Sequence, residues 1–228
     1  MKHCQCTLSD LDINKQEIYL SMGYMNTMPE IDILFMIDQI YAEIDKICKP
    51  QYIYNVYSGN TLDTVSITID NIKFKTGKII THYLEGMEKC CVFATTAGIE
   101  YDAYKKQLRK KGEILEEYIA DAIGSVIAEA CVNNIAGELA EKMDGSICTY
   151  PYSPGYCNWK LAEQQLLFSL LPDAPCGIRL TESCLMLPIK STTGIIGIGK
   201  NIKRKAYACN ICENKTCFKR REKESLRY

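Results

Sequence analysis

Histidine is almost absent from this chain of 228 residues: there are two, His3 and His82, far apart and in no shared motif. No Ser/His/Asp or Cys/His set can be assembled, so the groups that usually move protons or attack carbonyls near neutral pH are missing. Excess charge of one sign is missing too. Lys and Arg number 27 against 28 Asp and Glu, a formal net charge of −1, which gives no overall field for nucleic acid or a membrane surface. No segment near the start has the charged, apolar and small-residue regions of a signal peptide. No apolar run approaches the roughly 20 residues that a bilayer requires. A cytoplasmic location is the expectation, with neither nucleic acid nor membrane as partner.

What is present fits a globular chain with a real core: 47% hydrophobic and 24% charged residues, with 15 Tyr suited to half-buried sheet and pocket positions. Without an export signal, the 13 Cys are expected as reduced thiols, and their odd number argues against a pure disulfide framework. Cys90, Cys91, Cys131 and Cys184 lie in apolar segments and read as core fillers.

Periodicity divides the chain. After a short leader, residues 15–22 read as a helix. Residues 31–47 carry Ile31, Leu34, Ile37, Ile40, Tyr41, Ile44 and Ile47 at helical spacing. Residues 52–57 and 64–69 read as strands, the second alternating Val65, Ile67 and Ile69 with hydroxyl residues, and Ser58-Gly59-Asn60 punctuates between them. Residues 78–84 read as a helix and 90–95 as a buried strand. Residues 101–143 read as helical with a break near Lys111-Gly112. Their second part carries a stripe of Leu115, Ile119, Ala122, Val126 and Ala130, widened by Ile123 and Ile127, and Asp144-Gly145 ends it. A Tyr- and Pro-rich linker spans 148–159, followed by a helix over 161–171, a loop over 172–177 and strands over 178–180, 184–187 and 194–198. No internal repeat is visible. Strands before and after a central helical block, without regular alternation, predict an α+β fold with a twisted antiparallel or mixed sheet and flanking helices. One domain is expected over 1–199 and a tail over 200–228. The tail is basic, with Lys200, Lys203, Arg204, Lys205, Arg220 and Arg221 among its charges, and suits an acidic partner.

The most informative stretch is Tyr152-Ser153-Pro154-Gly155-Tyr156, followed by Leu180-Thr181-Glu182-Ser183, Met186-Leu187-Pro188 and Lys190-Ser191-Thr192-Thr193-Gly194. Pro154-Gly155 demands a tight turn: proline sets one φ, and glycine permits the positive φ that follows in type II. Such a turn is expected to leave backbone N–H and C=O groups outward for a ligand, with the Tyr156 ring beside them. Upstream, Ala128-Glu129-Ala130 puts a carboxylate three residues from Val126, at the edge of the apolar stripe rather than opposite it.

Taken together, this set resembles the activation domain of cobalamin-dependent methionine synthase. The match is close over 150–199, moderate over 113–145 and weak over the first hundred residues. The resemblance implies a free-standing reactivation subunit that binds S-adenosylmethionine through Glu129, the backbone of Ser153 and Gly155, Pro154 and Tyr156. It would support reductive methylation of oxidised cobalamin carried by a partner methionine synthase or other corrinoid protein, in methionine biosynthesis. A flavodoxin-like protein would supply the electron. The chain would act within a methyltransferase system by positioning its ligand, with no catalytic residue of its own. One departure stands out. Where the family has an Arg three residues before the turn's proline, this chain has Pro151, so the ligand's carboxylate needs another cation, Arg179 for example.

Near the end stand Cys209, Cys212 and Cys217. A Cys-x2-Cys turn lets two thiolates face one ion, and the third thiol suits zinc or an iron–sulfur cluster. A fourth ligand would come from His3, Cys4 or Cys6. The family resemblance does not extend to this cluster, which admits another reading: a non-catalytic or redox adaptor for a corrinoid methyltransferase.

Overall fold

The computed structural model describes residues 1–25, 27–142 and 145–204; Cys209, Cys212 and Cys217 lie outside them. In chain order the elements are β1 (Lys2–Gln5), α1 (Lys15–Ser21), α2 (Ile31–Ile47), β2 (Gln51–Thr61), β3 (Ile67–Ile69), β4 (Ile72–Phe74), α3 (Gly77–Tyr83), β5 (Lys89–Thr96), α4 (Ile99–Lys111), α5 (Ile114–Lys142), β6 (Ile147–Cys148), α6 (Gln164–Ser169), β7 (Arg179–Leu180), β8 (Met186–Leu187) and β9 (Ser191–Gly199). The fold is α+β, as expected.

The main sheet runs β4-β3-β2-β5-β9-β6, with β1 also on β2, and each of its pairings is antiparallel. Along one edge, β1 pairs with the first half of β2 and β3 with its last three residues. β5 is central and covered on both faces, so every residue from Cys90 to Thr96 is buried. Alternation along the strands separates two cores. Tyr52, Tyr54, Cys91, Phe93, Ile196 and Ile198 face α1, α2, α4 and α5. Ile53, Val92, Ala94 and Ile195 face α3, Tyr152, Trp159 and Leu167. Cys90, Cys91 and Cys131 are buried in these cores, and Cys184 is buried outside both.

The helical break falls where expected. Gly112 takes φ +80°, and Glu113 N–H donates back to the Leu108 carbonyl, the pattern of a glycine-capped helix end. α5 then runs 29 residues and is long and apolar enough to cross a membrane by length and composition, contrary to the reading that no segment comes close. Its Ile119, Ile123, Ile127, Cys131 and Ile135 are buried against the sheet and neighbouring helices, so that apolar surface forms core.

Several local expectations were displaced by tertiary contacts. The leader forms β1. Ser58-Gly59-Asn60 does not punctuate: β2 continues to Thr61, and the turn comes later, where Asp63 accepts from the Val65 N–H at 2.8 Å. That side-chain turn holds residues 64–66 out of the strand, so β3 starts at Ile67 and Val65 is exposed. The helix expected over 161–171 shortens to a 3-10 turn, Leu161–Glu163, and α6. Leu115 and Ile31, read as core, are exposed in the first turns of their helices. The linker read over 148–159 begins as edge strand β6, which starts at Ile147.

Candidate functional site

Beyond β6 the chain follows the edge of β9. Thr149 N–H donates to the Gly197 carbonyl, and Tyr152 and Ile195 exchange both backbone hydrogen bonds, at 2.8 and 2.9 Å. Pairing stops there, since Pro154 has no N–H to offer. A turn follows: Tyr156 N–H donates to the Ser153 carbonyl at 3.3 Å, and Gly155 takes φ +93°, as type II requires. A second turn comes at once. Cys157 and Asn158 have φ of +49° and +66°, and Trp159 N–H donates to the Tyr156 carbonyl at 2.9 Å, a primed type I turn. Gly155 N–H donates across to the Trp159 carbonyl at 2.7 Å and ties the turns together. The expectation that the first turn leaves its N–H groups outward is therefore corrected: those of Gly155 and Tyr156 are consumed within the bend. Tyr156 stands at the tip, 55% exposed, while Trp159 is buried, its indole N–H without an acceptor among the described residues.

The bend closes onto the sheet because residue 194 is glycine. A Cβ there would stand 2.5 Å from the Tyr152 carbonyl oxygen, 2.8 Å from the Phe93 ring and 2.9 Å from Ser153 Oγ. Any side chain would push residues 152–153 away from β9.

α5 follows the start of β9 on the same face as Phe93. The Lys190 ammonium donates to Asp121 Oδ2 and Ser125 Oγ, both at 2.8 Å. Two residues along, Thr192 is paired with Thr95, whose hydroxyl donates to the Ala128 carbonyl at 3.1 Å. Helix and strand thus advance together, from 121 and 125 over Lys190 to 128 over the Thr95–Thr192 pair. Glu129 is the next step of the 121–125–129 edge, one turn beyond Ser125. Gly194 stands two residues beyond Thr192, and Ser153 closes against it. The Glu129 carboxylate is exposed and has no ion-pair partner among the described residues. Partial burial opposes the charge on Asp121, but hydrogen bonds from Lys105 and Lys190 outweigh it and hold that carboxyl below its ordinary value. The Lys190 anchor was not singled out from sequence, although Asp121, Ser125 and Glu129 repeat every four residues and Lys190 opens a quoted motif.

Other expected participants stand elsewhere. Arg179 lies in β7 of a separate two-stranded sheet with β8, and is exposed. His3 contacts Gln51, and Cys4 Sγ lies 3.8 Å from Cys6 Sγ. Among the described residues no three His, Cys, Asp or Glu side chains are arranged to hold a metal. A cleft of about 690 Å³ opens between the turn after β2 and α3, lined by Asp63, Lys78, His82 and Glu85. α3 meets this segment at both ends: a Cβ on Gly77 would stand 3.5 Å from the Asn158 carbonyl oxygen, and the Tyr83 ring stacks on that of Tyr152 with centroids 5.7 Å apart.

Residues 77–222 match the family model described as "Vitamin B12 dependent methionine synthase, activation domain". The match starts well before the recognisable motifs and runs through the cysteine cluster. A search of curated proteins returns no match. A solved structure, the crystal structure of the MetH reactivation domain bound to AdoHcy, aligns with a TM-score of 0.66 at 15% identity, covering 91% of this chain and 80% of the other. At that identity the likeness speaks for the fold.

Proposed function

The chain belongs to the family of vitamin B12-dependent methionine synthase activation domains, and from that premise we propose that it binds S-adenosylmethionine between the bend at 153–156 and the α5 edge at Glu129, and serves the reductive methylation of oxidised cobalamin on a partner. What supports the reading is that Ala128, the neighbour of Glu129, is held over Thr95 opposite Thr192, and that Ser153 closes on Gly194 of the same strand. That the related domain carries AdoHcy supports the choice of ligand.

In this reading Glu129 takes the ligand's ammonium group as a charge-assisted hydrogen bond. The Tyr156 ring and the backbone carbonyls of Pro154 and Gly155, with the second lone pair of the Ser153 carbonyl, frame the nucleoside. The partner's cobalamin, reduced by one electron from a flavodoxin-like donor, supplies the electron pair that takes the sulfonium methyl group and releases S-adenosylhomocysteine. This chain's contribution is placement, holding the methyl–sulfur bond in line for transfer.

Isothermal titration of the whole chain with S-adenosylmethionine is expected to give saturable heat. Glu129→Ala should weaken binding by about tenfold or more, as the loss of a charged hydrogen bond does. No heat at about millimolar ligand, or an unchanged Glu129→Ala titration, removes the reading.

A further inference from the structure

Resting on that ligand assignment, we propose that Arg204, held on the ring of Tyr150, is the cation that binds the carboxylate of the ligand's amino-acid end.

The amino-acid end of S-adenosylmethionine carries one positive and one negative group. Glu129 answers the first. The second needs a cation near the bend, and position 151, immediately before Tyr152, is a proline with neither side-chain donor nor N–H. Lys190 lies along the α5 edge, but its ammonium is held by Asp121 and Ser125. Arg179 stands in the separate β7–β8 sheet.

Arg204 approaches from the other direction. After β9 the chain turns back and Ile202 anchors in the core beneath α3, 2% exposed. Two residues later the Arg204 guanidinium lies over the Tyr150 ring, 4.3 Å from its centroid. It is also close enough to Cys148 to oppose the rise that burial imposes on that thiol. The ring contact with Tyr150 places it beside the edge segment immediately upstream of Pro151 and the bend, with Cys148 within electrostatic reach. A guanidinium carries its N–H donors in its own plane, in the fork geometry that carboxylates accept, and the ring leaves those donors unconsumed. Among the described residues it enters no ion pair. The cation that Pro151 cannot supply would thus come from a segment about fifty residues later in sequence, with Tyr150 as its platform.

The test uses two ligands on the whole chain: S-adenosylhomocysteine, which has the carboxylate, and 5′-methylthioadenosine, which lacks the amino-acid end. Arg204→Gln should weaken the first by about ten- to a hundredfold, the range for a charged hydrogen bond, and leave the second within about twofold. Tyr150→Leu should weaken the first in the same direction by less. Equal weakening of both ligands by Arg204→Gln would make Arg204 a structural prop and overturn the inference. So would normal S-adenosylhomocysteine binding by that variant. A wild-type chain that binds neither ligand would instead bring down the ligand assignment itself, and this inference with it.

Discussion

Gly155 and Trp159 are joined by a backbone hydrogen bond of 2.7 Å that crosses the bend and makes one rigid unit of two successive turns. The cross-tie needs Gly155 at φ +93°, where a side chain is strained although space is open, the nearest atom to a Cβ being Leu161 Cδ1 at 3.6 Å.

Gly155→Ala is therefore expected to fold, to lose about 1–2 kcal/mol from left-handed strain, and to bind S-adenosylmethionine more weakly. Chemical denaturation measures the first effect and titration calorimetry the second. Trp159, the sole tryptophan, supplies an internal probe: its emission should be blue-shifted and resistant to iodide quenching in the wild type, and quenched more readily in the variant.

Gly194→Ala tests the seating of the bend. The added Cβ meets a backbone carbonyl and an aromatic ring at 2.5 and 2.8 Å, contacts no rotamer change can relieve entirely. A loss of about 1–3 kcal/mol is expected for overpacking of this kind, together with a larger loss of ligand affinity than Gly155→Ala causes. Unaltered affinity would show that the bend's distance from β9 is irrelevant to the site.

Lys190→Ala removes the tie between β9 and the α5 edge that leads to Glu129. Breaking hydrogen bonds to Ser125 and to the Asp121 carboxylate should cost about 1–3 kcal/mol. Weaker ligand binding should follow through the displaced helix edge, although Lys190 itself is not assigned to the ligand. A double mutant with Glu129→Ala should then lose less affinity than the two single losses combined.

Away from the site, Glu138 joins α5 to β1 and β2. Its carboxylate accepts from Lys2 at 2.5 Å, Tyr52 at 2.6 Å, Tyr54 at 2.7 Å and Lys142 at 3.2 Å. Partial burial raises its pKa, but those four donors outweigh burial and bring it down to about 2. A carboxyl depressed on folding contributes stability above its unfolded pKa, near 4.5, and loses it as pH falls toward the folded value. Glu138→Gln should be less stable than the wild type at pH 7, by about 1–3 kcal/mol. The gap should narrow between about pH 4.5 and pH 2, as denaturation curves at several pH values would record. A gap independent of pH would mean that the hub works through packing rather than charge.

Most helices and the central strands were legible because their signals are local. The spacing of Ile37, Ile40 and Ile44, the break at Gly112 and the unbroken apolar run of β5 each depend on residues within a few turns of chain. The turn at Pro154-Gly155 was legible for the same reason: φ preferences belong to the residues themselves. Tertiary structure decided how the pieces meet. β1 exists because β2 offers it an open edge, and Tyr152 becomes a strand residue because Ile195 is there to receive it. The bend's N–H groups turn inward because Trp159 folds back over Gly155. Whether Glu129 belongs to a site depends on the register of α5 over β9, which Lys190 and Thr95 set from 69 and 33 residues away. Arg204 reaches Tyr150 only once β9 has carried the chain back along the sheet. Local conformational preference is written in the order of residues, whereas contacts between distant residues are selected by packing, and the proposed site is made of the second kind.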